Sequence, residues 1–572
     1  MTAVIAAVLL SAAYLSPECG AELAGGLMCF TAAEGDALLF LSAKGTLKAK
    51  TEVHRPTGVA ASGDGGAFVT AGVAPGEIVR IAPDGRIAAR APAGHSPCAP
   101  VLSADGKSVY VAGRFTADIT EYDAATLAPR RRARLLREPF AATRAGNRLF
   151  VANLLPSGTA TGDVVAASVS VVDLRDFSVR HAMLPNGSTG VRGIAASPDG
   201  RRVYAVHTLG RYQLPTTQLE RGWMNTAVCS VFDGQSGDLI GSFILDDPLL
   251  GAANPWGVAV SPDGKFLCVS HAGTGELSVI RRDELDKGIA MDDLSFCRKI
   301  GRRRIDLGGD GARGIAFAGG KAVVALYFDD AFAFVDLSDG SVERSVFGRR
   351  AETCGDRRRR GEMLYNSAKL CFQHWQSCAS CHPDGRADGL SWDLLNDGEG
   401  NAKQTKSQIF GQFTPPTMVT GIRKDMQTCN RAGLIHIQFV RRPEEDGLCL
   451  DAYTESLTPV PSPYLVGGRL SAAAERGKKV FAKAECAACH SGPYYTDCRL
   501  YDVGLGLGTE AKRRFDTPTL REVWRTAPYL YDGRSATMVD MLTRDNPRDT
   551  HGITSGLTAD EISDLAEYVL SL

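Results

Sequence analysis

The chain has 572 residues and a mass of 60.9 kDa, with 64 Lys and Arg against 65 Asp and Glu, a formal net charge of -1 and a pI near 6.8. That balance gives no electrostatic case for nucleic acid or an anionic membrane surface as partner. The length exceeds what one hydrophobic core usually supports, so two or three domains are expected.

Residues 3–13, Ala-Val-Ile-Ala-Ala-Val-Leu-Leu-Ser-Ala-Ala, are too short an apolar run to span a bilayer but suit the h-region of a signal peptide, which makes 1–13 a candidate leader. No Lys or Arg precedes the run, and a buried strand or a misassigned start codon would also account for it. No segment reads as an integral membrane span.

From there to residue 348 one unit recurs. Pro56-Thr57-Gly58-Val59-Ala60 runs to Asp64-Gly65, Arg192-Gly193-Ile194-Ala195 to Asp199-Gly200, and Pro255-Trp256-Gly257-Val258-Ala259 to Asp263-Gly264. Arg313-Gly314-Ile315-Ala316 repeats the first half, and weaker copies begin at Ser16-Pro17, Ser96-Pro97 and Pro139. An apolar strand, an Asp-Gly or Gly-Gly hairpin turn and three further short strands fill each unit of about 40 residues, the period of a propeller blade. Seven starts, near 17, 57, 97, 139, 192, 255 and 313, predict a seven-bladed β-propeller over 14–348. These repeats resemble bacterial seven-bladed propellers with Tyr-Val-Thr-Asn-type repeats.

The fifth blade carries a long segment between Thr208 and Cys229 with Arg211, Tyr212, Gln218, Glu220, Arg221, Trp223 and Asn225, which reads as a binding surface or as packing on a neighbouring domain. His54, His95 and Asn254 precede first strands and are expected at a solvated channel mouth. Residues 349–361, with Arg357-Arg358-Arg359-Arg360, read as a solvated linker.

Two copies of a five-residue word follow, Cys378-Ala379-Ser380-Cys381-His382 and Cys486-Ala487-Ala488-Cys489-His490. Two thiols one helical turn apart attach a haem through thioethers, and the adjacent imidazole becomes its proximal ligand. With 15 Cys and 10 His in 572 residues, two such words arise by chance with a probability of roughly 2 × 10⁻⁵. A zinc ribbon would need paired Cys-x-x-Cys knuckles in one small module. Two covalently bound c-type haems are therefore expected, held by Cys378, Cys381, His382, Cys486, Cys489 and His490. Thioether attachment is normally completed outside the cytoplasmic membrane, so a periplasmic or otherwise extracytoplasmic protein is expected. The other eleven cysteines then sit where disulfides are permitted, in pairings the sequence does not specify.

Each word follows a helical segment, 469–484 for the second, and Thr558-Ala559-Asp560-Glu561 is a capping box that opens a terminal helix. Thr414-Pro415-Pro416 after the first word and Thr517-Pro518-Thr519 after the second suggest duplication. Two mainly α class I cytochrome c-like domains, 362–465 and 466–572, are expected. Phe515-Asp516-Thr517-Pro518-Thr519-Leu520-Arg521 and Thr526-Ala527-Pro528-Tyr529-Leu530-Tyr531-Asp532-Gly533-Arg534, with that helix, resemble the bacterial dihaem cytochrome c peroxidase and methylamine-utilisation dihaem maturase superfamily. Trp392-Asp393-Leu394 and His436-Ile437-Gln438-Phe439 depart from its peroxidatic-domain pattern.

The resemblance implies a peroxidase-like oxidoreductase. One haem would take electrons from a small donor protein or a quinol-derived donor and pass them to another that meets peroxide or an unidentified substrate. It also implies a Trp between the haems, for which Trp375 and Trp392 are candidates, and calcium between the domains, for which Asp393 and Asp397 are candidates. Met541 and His551, with Met538 behind them, are candidate axial ligands of the second haem. Met418, Met426 and His436 are candidates around the first, and His436 and Glu445, with Glu444, are the candidate catalytic groups. Two other readings remain: an electron carrier with two six-coordinate haems, and a catalytic propeller that uses the haems as electron exit.

Overall fold

The computed structural model describes residues 14–214, 224–291, 293–353, 355–397 and 402–572; the candidate leader and Gln218, Glu220, Arg221 and Trp223 lie outside these. Residues 17–346 form seven four-stranded antiparallel sheets, each an up-and-down meander of four consecutive strands. Blades 1 to 7 span 17–52, 56–93, 97–134, 139–183, 188–244, 255–306 and 312–346. The first strand of each blade is innermost, and neighbouring first strands pack around the ring from Pro17–Glu22 to Ala312–Ala318 and back.

The repeated glycine explains that packing. A Cβ on Gly193 would lie 2.3 Å from the Trp256 carbonyl oxygen, one on Gly257 2.5 Å from that of Arg313, and one on Gly314 2.1 Å from that of Glu18. Adjacent inner strands approach this closely only where no side chain intervenes. Across the closure between blades 7 and 1 no strand is exchanged, so the ring is held by this contact and by the apolar cluster of Phe30, Leu39, Val323 and Phe332. The Asp-Gly turns are held by local bonds, Ser103 Oγ donating to Asp105 at 2.7 Å and Ser261 Oγ to Asp263 at 2.6 Å.

The remainder is helical. Helices α1 (Arg357–Asn366) and α3 (Glu444–Glu455) cross, with α2 (Met426–His436) beside α3, and α4 (Ala472–Lys483) crosses α5 (Ala559–Leu570). Both crossings are built alike. A Cβ on Gly361 would lie 1.9 Å from Cys449 O and 3.0 Å from the Tyr453 Cβ, and one on Gly477 1.9 Å from Asp564 O and 2.9 Å from the Tyr568 Cβ. The bridge Thr417–Arg423 recurs as Tyr529–Ser535, with Gly421 and Gly533 at φ 65° and 73°. The partner of Thr414-Pro415-Pro416 is therefore Thr526-Ala527-Pro528, not Thr517-Pro518-Thr519. Among the described residues no helix is long and apolar enough to cross a membrane.

Two expectations change. Arg357–Arg360 is not a solvated linker but the first turn of α1, capped by Asp356, which accepts from Arg359 N at 3.1 Å. Arg359 is fully buried, donating to Ser16 Oγ at 2.9 Å, Tyr327 O at 2.8 Å and Glu362 at 2.9 Å. The channel mouth is not solvated at His95 and Asn254, because the helical part covers it. His95 Nε2 bonds Pro461 O at 2.8 Å and Asn254 meets Ser377 and Ser380; His54 is exposed beside Asp36.

A buried ionic cluster joins the two parts. Asp384 receives Arg114 at 2.6 Å, Arg192 at 2.9 Å and Arg525 at 3.1 Å, and Arg525 also meets Glu138 at 2.9 Å. Burial opposes ionisation of Asp384, but Arg192, Arg114 and Arg525 outweigh it and hold the carboxyl well below the usual range. Aromatic faces separate the cations: Arg192 lies 4.8 Å from Phe140 and 4.4 Å from Trp256, and Arg313 lies 4.1 Å from Trp256.

Asp384→Asn strands buried guanidinium charge and is expected to cost about 3–5 kcal/mol, read as a lower denaturation midpoint with the propeller's β signal retained. Acid should weaken the propeller through His207, whose ring is buried against Ser230 Oγ at 2.9 Å and whose pKa burial pushes down to about 4. The neutral ring's contribution, about 3 kcal/mol, is complete above pH ~6.5 and lost as pH falls toward ~4. His207→Gln should flatten that slope in thermal unfolding scans between pH 7.5 and 4.5.

Candidate functional site

The first word forms a one-turn helix, Cys378–Cys381, whose start is tied by Ser377 N donating to Ser380 Oγ at 3.0 Å. The propeller grips that turn. Asn254 Nδ2 donates to Ser377 Oγ at 2.7 Å and its Oδ1 accepts from Ser380 Oγ at 2.6 Å, while Asn225 Nδ2 reaches Gln376 Oε1 at 2.9 Å and Cys381 Sγ at 3.5 Å. His382 is oriented by Nδ1 donating to Arg386 O at 3.0 Å, which leaves Nε2 with a free lone pair, the form a metal needs. Burial lowers its pKa to about 4, so the ring is neutral, and burial pushes the Cys378 thiol up to about 12.

Cys378, Cys381 and His382 line a cavity of about 730 Å³, within the range that holds a cofactor-sized ligand. Its walls are apolar at Ile409, Met426, Phe439 and Leu450 and cationic at Lys406 and Arg423. Two thiols, an oriented neutral imidazole, apolar walls and the Arg423 cation fit a haem with its carboxylates; Lys406 is paired with Asp516. Met224 of the propeller also lines the cavity, so the described end of the long fifth-blade segment meets the helical part there. Met418 and Met426 line it too, as does His436, exposed at the C-terminus of α2.

At the second word, Cys486–Ala488 forms a single turn after α4, and His490 Nδ1 donates to Tyr495 O at 3.0 Å. The ring of His551 faces that of His490 at 6.2 Å between centroids and 50° between planes. Two imidazoles bound to one ion, each nitrogen about 2.0–2.1 Å from it and each ring centre about 1.1 Å farther back, have this separation. Burial, with the neighbouring His490, lowers the His551 pKa to about 4, and its Nδ1 is buried without a hydrogen-bond partner. Asn546 holds the loop that carries it, accepting from His551 N at 3.0 Å and donating to His551 O at 3.1 Å and Gly552 O at 2.9 Å. Met541 packs in the apolar cluster of α4 and α5 that includes Cys486, and Met538 is buried within it.

Other expected site residues fall elsewhere. Glu445 and Glu444 lie outside the cavity: they form the exposed first turn of α3, paired with Arg357 at 2.8 Å and with Arg431. Carboxylates in a first helical turn offset the unpaired N–H groups there, which accounts for both without catalysis. Asp393 accepts from Leu395 N at 3.1 Å, and Asp397 is engaged by Lys403 at 3.2 Å and Thr420 at 2.7 Å, so an ammonium already balances that carboxylate. Among the described residues no cluster of three His, Cys, Asp or Glu side chains suits a cation, and no disulfide joins the cysteines. Trp392 lines the first cavity and donates to Asp388 at 2.9 Å, whereas Trp375 is buried core donating to Gln373 at 3.3 Å. Asn225 and Asn254 are legible as loop and channel-mouth residues but not as the grip on the attachment turn, and Asn546 goes unread because an Asn in a loop carries no local pattern that marks it.

Residues 474–572 match the cytochrome c family. Hydrazine synthase subunit gamma of Kuenenia stuttgartiensis is 30% identical over 275 residues, 37% of this chain and 77% of that one. Subunit beta of the same organism is 25% identical over 141 residues, 25% of this chain and only 36% of the subunit. The methylamine utilization protein MauG of Methylophilus methylotrophus is 25% identical over 224 residues, covering 30% of this chain and 67% of that one. A solved structure of Kuenenia stuttgartiensis hydrazine synthase shares the fold with TM-score 0.50 at 19% identity, over 58% of this chain and 96% of that one.

Asn254→Ala removes two buried hydrogen bonds from the first attachment turn, a loss of about 1–3 kcal/mol each where a partner is left unsatisfied. Attachment at Cys378 and Cys381 should fall while that at Cys486 and Cys489 is unchanged, as read by mass spectrometry of haem peptides.

Proposed function

The chain belongs to the family of hydrazine synthase subunit gamma, and on that footing we propose that it is an extracytoplasmic oxidoreductase with two covalent c-type haems, one per word. In this reading the segment around the first word is a second cytochrome c domain, as the matched Gly361 and Gly477 crossings support. The second haem, between His490 and His551, is the electron-transfer centre, and the first, at His382, is the one a substrate reaches.

The observation that supports this division is the asymmetry of the two sites: a second imidazole faces His490 at 6.2 Å, whereas the cavity that would take the haem at His382 is lined by Met418, Met426 and the exposed His436. When bound, the haems supply one-electron chemistry and, at an open position, a site for a small ligand. The chain's own groups do the rest. Cys378 and Cys381, and Cys486 and Cys489, fix the two macrocycles, while His382 and His490 are held as neutral ligands by backbone carbonyls. Arg423 balances negative charge in the first cavity, and His436, exposed and lining it, is placed to move a proton between solvent and a bound molecule.

Peroxide is the substrate class that likeness to a cytochrome-c peroxidase of Denitromonas iodatirespirans, 29% identical over 153 residues, favours. Likeness to both hydrazine synthase subunits favours a second reading, in which one chain combines counterparts of the two and a small nitrogen compound takes the place of peroxide. In both readings the propeller is the platform on which the haem part is docked. A small donor protein or a quinol-derived donor would supply electrons.

Absorption and EPR spectra of the purified protein, oxidised and half-reduced, test the division. One low-spin and one high-spin haem are expected, with hydrogen peroxide or hydroxylamine changing only the high-spin signal. His551→Ala should convert the low-spin signal and leave the other. Two low-spin haems indifferent to either reagent would leave an electron carrier.

A further inference from the structure

Resting on the two-haem reading for the presence of the haems alone, we propose that each haem segment holds the other's proximal histidine. Glu522 of the second segment acts through Arg386 as a positioning residue for His382, and Phe410 of the first acts through Tyr494 as its counterpart for His490.

The first half is ionic. The carbonyl that receives His382 Nδ1 belongs to Arg386, and the guanidinium of Arg386 meets Glu522 twice, at 2.8 and 3.2 Å. It also donates to Thr458 O at 2.8 Å and to Asp384 O at 2.6 Å. Arg386 is 7% and Glu522 1% exposed, so neither charge is screened by water. Arg525 approaches the same carboxylate at 3.4 Å while remaining bound to Glu138.

The second half is apolar. His490 Nδ1 rests on Tyr495 O, and the ring of the preceding Tyr494 packs against Phe410 at 4.9 Å and Phe413 at 5.8 Å, the latter stacked within 8°. Thr519 Oγ1, three residues before Glu522, donates to Tyr494 O at 2.6 Å. One short strap of the second segment thus braces Arg386, whose carbonyl supports His382, and Tyr494, the residue before the carbonyl that supports His490.

Glu522 and Phe410 occupy the same place in the duplicated fold. Each lies four residues before a matched threonine, Thr526 and Thr414, and both have left-handed backbones, with φ 61° and 60°. Residues other than glycine keep that conformation only where surrounding contacts hold it. Arg386 and Tyr494, likewise, each stand four residues beyond their histidine.

The strength of the proximal N–H···O bond sets how strongly an imidazole donates to its metal. Glu522 also supplies a buried negative charge close to the first site. Removing it weakens the anchoring of the carbonyl and leaves Arg386 cationic, and both changes favour the reduced haem.

The test uses the full-length, haem-loaded protein. Haem content is measured first, and the two midpoint potentials are then resolved by optical redox titration. Glu522→Gln is expected to raise the potential of the first haem by a tenfold change in its reduction equilibrium, about 59 mV for one electron. The second haem should be unmoved, and Glu522→Asp should restore most of the wild-type value. Both haems present with both potentials unchanged in Glu522→Gln would overturn the proposal, leaving a merely structural pair. Absence of covalent haem in the wild type would instead overturn the two-haem reading. Should Glu522→Gln fail to fold, Phe410→Leu tests the other half: the second potential is expected to shift with the first fixed, and an unmoved second potential overturns the proposal.

Discussion

The carboxylate of Asp384 carries the architecture. It lies two residues beyond the proximal histidine of the first word and accepts from Arg114 and Arg192 of the propeller and Arg525 of the last segment. A half-buried carboxylate among three largely buried guanidiniums is tolerable only if every charge has a partner, because an unpaired charge in that setting costs several kcal/mol. Propeller, first segment and second segment are therefore placed by one polar cluster whose members come from blades 3, 4 and 5 and from both ends of the helical part. The haem words lie where this cluster puts them.

Several other features follow from that arrangement. The channel mouth is lined by cations alternating with aromatic faces, which suits a surface that must accept charge without water. The attachment turn at Cys378 rests on Asn225 and Asn254, so a domain with no haem word of its own shapes the first haem site. Arg359 and Glu362 play a similar part at the first turn of α1, where Tyr327 and Phe328 of blade 7 receive the guanidinium. Propeller and haem part share buried charge and are expected to behave as one unit.

Within the helical part, two frames built alike are filled differently. Both frames keep the glycine at the helix crossing, the tyrosine beside it and the carbonyl under the histidine. The sites part on the side opposite that carbonyl. In the second, Asn546 folds a loop back so that His551 meets His490. In the first, the equivalent space is an open cavity lined by methionines, Arg423 and the exposed His436.

The sequence alone determined the blades, their number and the two attachment words, because each rests on short-range rules. An Asp-Gly turn, a glycine in the inner strand and a Cys-x-x-Cys-His turn are complete within a few residues. It also named His551 among several candidates and could not choose it over Met541, since that choice depends on a loop held by Asn546. What only the tertiary structure decided involves partners hundreds of residues apart: Arg359 buried rather than solvated, Asn254 on the attachment turn rather than at a wet mouth, Asp384 in the channel. Glu445 read as a catalytic carboxylate for the same reason, because its bond to Arg357 across the α1 and α3 crossing exists only after folding. Charges and amides look alike in a sequence whether they face water or a partner, and the difference lies in which distant surface the fold brings against them.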